Sequence, residues 1–109
     1  MGDIEQLTSE IVSFIVERDW EQFHKPKDTA LALSIEASEL NEAFLWKKEE
    51  DVDIHKIEEE LADVIIYALD LARQYNLDVE QIVRAKIKKN AEKYPVTKCM
   101  GSAKKYTEY

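Results

Sequence analysis

Four carboxylates have types and spacing that could do chemistry. Glu36 and Glu39 lie in SIEASEL, and Glu60 and Asp63 lie in EEELADVIIYALDLA. Each pair is spaced i, i+3, so a helix would put both members on one face, a turn apart. The surrounding residues are apolar or small, and a buried carboxylate is costly unless a partner meets its charge. If the two helices pack antiparallel, all four acids converge, and four converging anions need cations. Oxygen-only ligands suit Mg²⁺ or Mn²⁺. Zinc would want His or Cys, and di-iron bundles use Glu-x-x-His, which neither pair contains. An EF-hand would need Asp-rich loop spacing and a central Gly. A single Glu-x-x-Glu is ordinarily a solvated face, the reading given to Glu42, Glu58 and Glu59. Two pairs on two apolar helices make a different pattern.

The elements that must position these acids are helices. Only two Gly and two Pro occur in 109 residues, so turn chemistry is scarce and few, long helices are favoured. The periodicity of Ile4, Leu7, Ile11, Phe14 and Ile15 predicts a helix from about Asp3 to Arg18. RDWEQFHKPKD follows as a connection, with Pro26 as a breaker and Asp28 as the expected N-cap. The second helix is expected over Thr29 to Trp46, and KKEEDVD as a solvated loop. The third is expected from Ile54 to Tyr75, closed by Asn76 in a left-handed conformation. The fourth is expected from Val79, capped by Asp78, to Lys93, with Tyr94–Pro95 as the stop. The expected fold class is all-α, a four-helix bundle over residues 1–96, with residues 97–109 as a tail.

The second and third helices carry apolar or small residues on nearly all sides, and a helix apolar all round is buried all round. A small four-helix domain buries only about 60–65% of its chain surface. Some of those faces are therefore expected to meet another subunit. The formal net charge of −8 argues against nucleic acid and anionic membranes as partners. Small phosphates stay open, because a metal ion inverts the local sign. The single Cys99 provides no disulfide framework. No signal-peptide pattern opens the chain, and acids break every apolar run, so a cytoplasmic protein is expected.

SIEASELNEAFLW followed by EEELADVIIYALDLA resembles the MazG-like nucleoside triphosphate pyrophosphohydrolases, whose signature is Glu-x-x-Glu, a spacer, then Glu-x-x-Asp. RDWEQFH, Trp46, AKIKKNAEKYP and KKYTEY extend the resemblance from about Ile11 to Tyr109, and they look like the branch of the family that acts on dCTP. The charged segment between the acid pairs is shorter than in the animal members.

The resemblance implies that Glu36, Glu39, Glu60 and Asp63 hold Mg²⁺ on a triphosphate, with Mn²⁺ as a substitute, and that Glu39 also orients the attacking water. It implies cleavage of a (d)NTP, with dCTP or a modified dCTP foremost, to monophosphate and pyrophosphate, with Glu36 beside Glu39 as the catalytic candidates. Trp20 and Trp46 match residues that line the base, and Tyr67 matches a residue at the sugar or phosphate end. His24 joins them as a substrate-binding candidate from its loop. Lys86 and Asn90, one turn apart on the fourth helix, match residues near the phosphates. The tail with Lys104, Lys105 and Tyr106 is a candidate lid. Relatives assemble their sites from more than one subunit, so a homo-oligomer, a dimer of dimers, is expected. The rival reading is a non-catalytic helical oligomerisation or nucleotide-binding adaptor module. Such a module has no need for a buried anionic cluster.

Overall fold

The computed structural model describes residues 2–104 and 106–108, with Tyr106 as backbone only. Of the lid candidates, Lys105 and the Tyr106 side chain therefore lie outside the described residues. The described residues are all-helical: α1 (Asp3–Glu17), α2 (Pro26–Glu42), α3 (Ile54–Gln74), α4 (Val79–Lys93) and α5 (Val96–Cys99), with short 3₁₀ turns at Glu21–Phe23, Glu49–Asp51 and Tyr106–Glu108. No helix among them is long and apolar enough to cross a membrane. The chain divides into two compact units, Met1–Leu77 and Asp78–Tyr109.

Several boundaries differ from the sequence expectation for identifiable reasons. Pro26 is the first residue of α2 and not a breaker, because its fixed φ suits the first helical position and its missing N–H is not needed there. Lys25 is the cap, with no side-chain bond, and Asp28 lies inside the first turn. α2 ends at Glu42 and not at Trp46. The chain tightens through i→i−3 bonds from Phe44 to Asn41 (3.1 Å) and Leu45 to Glu42 (3.1 Å), and Trp46 turns it at φ +65. The charged KKEEDVD segment is not simply solvated, since Val52 is buried. Its last residue, Asp53, caps α3 by accepting from the His55 amide at 3.0 Å. Such a cap stabilises a helix by about 1 kcal/mol. Asp78 caps α4 in the same way, accepting from the Gln81 amide at 3.0 Å. Part of the expected tail is helical, as α5, which starts directly after Pro95.

Two helix ends share one device. At the end of α3, Asn76 takes φ +55, Leu77 N–H bonds Ala72 at 2.9 Å, and Asn76 N–H bonds Arg73 at 3.1 Å. This is a Schellman motif. At the end of α1, Asp19 takes φ +55, Trp20 N–H bonds Ile15 at 3.0 Å, and Asp19 N–H bonds Val16 at 3.0 Å. The apolar contact that completes such a motif is Trp20 edge-on against Phe14, with centroids 5.8 Å apart.

In the first unit α3 is central, packing along α2 and touching α1. α2 and α3 run antiparallel: Thr29 near the start of α2 meets Gln74 at the end of α3 at 2.8 Å, and Glu36 meets Glu60 and Asp63 nearer the middle. The buried apolar residues among those described are few, namely Ile15, Ala43, Val52, Leu69 and Ala72. The predicted core face of α1 is only partly covered, with Leu7 and Phe14 about half exposed.

Candidate active site

The antiparallel pairing brings the two acid motifs together. Glu36, Glu60 and Asp63 each place one carboxylate oxygen within 4.8 Å of the others. Glu39 stands just outside that triad, within hydrogen-bonding reach of Glu36 and Glu60. Glu60 is buried, and the other three are half-buried. Glu36 Oε2 and Glu60 Oε2 are both buried and have no partner. Orphaned oxygens within a cluster of carboxylates are an arrangement that a hard divalent cation satisfies.

The electrostatics record the crowding. Burial is the largest cause that raises Glu36 from 4.5 to about 7, followed by its hydrogen bond with Glu39 and the charges of Glu39, Asp63 and Glu60. Glu60 moves the opposite way, because the Lys56 ammonium donates to Glu60 Oε1 at 2.8 Å and outweighs burial. The same contact raises Lys56. Tyr67, one turn beyond Asp63, is raised by burial first and then by the acids around it. Sequence reasoning did not single out Lys56. Its signal was the i, i+4 spacing to Glu60 on one helix face.

Beside the triad, α1 and α3 enclose a largely apolar groove of about 590 Å³. That volume lies within the range of small-ligand sites. Asp63 belongs both to the triad and to the groove wall, which also includes Trp20, His24 and Tyr67. Trp20 leaves 42% of its surface uncovered. Phe14, against which Trp20 packs, also carries the Arg18 guanidinium over its ring, 3.7 Å from the centroid. His24 lies nearly parallel to Tyr67, with centroids 6.2 Å apart.

The remaining candidates are distributed differently. Trp46 is 94% exposed in the single chain and does not line this groove. Because α2 stops at Glu42, Trp46 is not carried along the helix axis past Glu36. Lys86 and Asn90 lie on α4, in the second unit.

A further polar group was not anticipated. Asp70, whose side chain is fully buried, receives His24 Nδ1 at 2.8 Å, Gln74 Nε2 at 3.1 Å and Arg73 Nε at 3.2 Å, with a second bond from Arg73 Nη2. Gln74 Nε2 also bonds Thr29 Oγ1 at 2.8 Å. The sequence signal was an acid in the otherwise apolar run ALDLA, seven residues and two turns beyond Asp63.

The sequence profile of the MazG-like family matches residues 31–109. The dCTP pyrophosphatase 1 of Bos taurus is 41% identical over 116 residues, which cover 99% of this chain and 67% of that protein. Its Homo sapiens counterpart is 39% identical, over 99% of this chain and 66% of that protein. The chain thus spans about two thirds of the length of these curated relatives. Among solved structures, a pyrophosphatase from Archaeoglobus fulgidus superposes with a TM-score of 0.77 at 34% identity, covering 87% of this chain and 94% of that one. The profile match over residues 31–109 and the identity to these relatives show that the chain belongs to the MazG-like family.

Proposed function

We propose that the protein is a divalent-metal-dependent nucleoside triphosphate pyrophosphohydrolase that converts dCTP, or a 5-modified dCTP, to the monophosphate and pyrophosphate. The observation that carries this reading is the carboxylate triad of Glu36, Glu60 and Asp63, with its orphaned oxygens, opening through Asp63 onto an aromatic-walled groove. Metal dependence is the family's general character, and Mg²⁺ suits the all-oxygen donor set. A cation held by Glu36, Glu60 and Asp63 would neutralise charge on phosphate oxygens and lower the pKa of bound water.

The chain's own groups do the rest. Glu39, outside the triad, would orient the attacking water. Lys56 Nζ holds Glu60 ionised, so that oxygen remains a ligand and not a proton carrier. Trp20 offers an exposed face to the base, a contact worth about 1–3 kcal/mol per base in single-strand binders. Tyr67, on the groove wall, would meet the sugar or phosphate end, and His24 would contact the substrate. The resemblance also assigns Lys86 and Asn90 to the phosphates and residues 97–109 to a lid. Apart from that of Lys56, these roles rest on the resemblance.

The working form is a homo-oligomer, a dimer of dimers in the cytoplasm. Its support is the exposure of apolar residues on α2 and α3 and of Trp46, which a second subunit would bring to the base. The test is pyrophosphate release from a panel of deoxynucleoside and nucleoside triphosphates, with and without Mg²⁺. Metal-dependent pyrophosphate and dCMP from dCTP are expected. Release of single phosphates, or turnover indifferent to EDTA, would overturn the reading.

A further inference from the structure

We propose that Asp70 is a positioning residue that acts through His24 to select a base carrying an exocyclic amine. The inference rests on the proposed hydrolysis of nucleotides and extends it to the residue that reads the base.

Asp70 is a carboxylate with no exposed side-chain surface, on the helix that also carries Glu60 and Asp63. It lies outside the acid cluster, and its partners are donors. Arg73 occupies Oδ1 with two N–H groups, while Oδ2 receives Gln74 Nε2 and His24 Nδ1. Arginine is charged at every working pH, so the carboxylate charge is already met within its own helix. What Asp70 still requires from His24 is one N–H, which the neutral imidazole supplies from Nδ1. The hydrogen bond made by one ring nitrogen decides the state of the other. With its proton on Nδ1, His24 has a bare Nε2, an acceptor.

The imidazole is held on two sides, by Asp70 and by the parallel Tyr67 ring, and it lines the groove shared with Trp20 and Asp63. A nucleotide with its phosphates at Asp63 and its base on Trp20 lies along that wall. An acceptor there favours an amine at the exocyclic position, as in cytosine. It opposes the carbonyl of uracil or thymine, where two lone pairs would face each other. Selectivity of this kind comes from the unpaired group left by the wrong base.

Asp70→Asn separates this role from simple support. Asparagine has one acceptor oxygen, and Arg73 claims it at the Oδ1 position. The amide N–H₂ then faces His24 Nδ1 as a donor, so the ring must carry its proton on Nε2. The shape is kept and the signal at the base is inverted.

Two readouts test the proposal. Long-range proton–nitrogen NMR of labelled protein reads the tautomer, in a His55→Gln background that leaves His24 as the single histidine. Wild-type His24 is expected protonated on Nδ1, and Asp70→Asn on Nε2. Steady-state kinetics reads the ratio of kcat/KM for dCTP over dUTP. That ratio should fall about tenfold in Asp70→Asn and in His24→Ala, mainly through KM. Binding of dCMP against dUMP should change in parallel.

His24→Ala keeps the test intact if Asp70→Asn folds poorly, since Arg73 and Gln74 still satisfy Asp70. A wild-type His24 protonated on Nε2 would overturn the proposal. So would equal losses on both bases, or a loss that follows the 3′-hydroxyl when dideoxy-CTP is compared. If the wild type turned over no triphosphate, the proposed reaction would fall instead, and the tautomer and the monophosphate binding ratio would still decide the base contact.

Discussion

Glu36 shows how burial turns a carboxyl into a reporter of its neighbours. Its value rises from 4.5 to about 7, first by burial, then through Glu39, Asp63 and Glu60. The folded, metal-free protein therefore holds a proton that the unfolded chain releases over that window. The resulting contribution to stability is complete below about 4.5 and lost as pH rises through about 7. In EDTA the melting temperature should accordingly decline across this interval relative to Glu36→Gln, which removes the titration. A cation competes with the same proton, so half-saturating Mg²⁺ should increase as pH falls below neutrality. A Mg²⁺ requirement independent of pH would contradict this. Glu36→Gln, Glu39→Gln, Glu60→Gln and Asp63→Asn should each lower turnover at least about a hundredfold. Circular dichroism should show them folded, since each reduces repulsion among the acids. Near-normal activity in all four at saturating Mg²⁺ would remove them from the chemistry.

At the scale of the elements, helix termini decide what reaches the groove. The Schellman turn after α1 requires a left-handed residue, which Asp19 supplies at φ +55, and it directs Trp20 back over Phe14. Gly adopts this conformation without the Cβ penalty. Asp19→Gly and Asn76→Gly should thus leave stability unchanged or raise it by up to about 1 kcal/mol. Asp19→Val should lower it by about 1–2 kcal/mol, as a β-branched residue is strained there. Urea melts with unchanged slope would measure both. A stabilising Val at position 19 would mean that the turn does not define Trp20. The end at Asn76 is legible after a helical period, whereas Asp19 lies within RDWEQFH, which carries no Gly or Asn to mark a turn.

For the whole molecule, the exposed apolar residues are the surface that a single chain leaves uncovered. Leu31 is 60% and Ile35 49% exposed, one turn apart on α2, and Trp46 is almost wholly exposed. Apolar area removed from water stabilises by about 25 cal/mol per Å², so an assembly covering this stripe gains much that one chain lacks. Sedimentation at micromolar protein should show a species larger than the 12.7 kDa chain. Leu31→Asp with Ile35→Asp should shift it toward smaller species and reduce turnover. A folded, active monomer would refute the assembly.

The helical class, the two acid pairs and their i, i+3 faces are legible in the residues alone, because periodicity and spacing act within a few residues along one chain. So are the Asp78 cap and the Asn76 turn, whose chemistry is local. Tertiary packing set Lys56 against Glu60 and pushed Glu36 up to about 7, since the same residue type shifts in opposite directions according to burial and neighbours. It alone ended α2 before Trp46 and drew Val52 into the core. It alone joined His24 to Asp70 across 46 positions of sequence. A contact of that separation leaves no periodicity to read; it exists because α3 buries an acid where the connection after α1 returns to the helix.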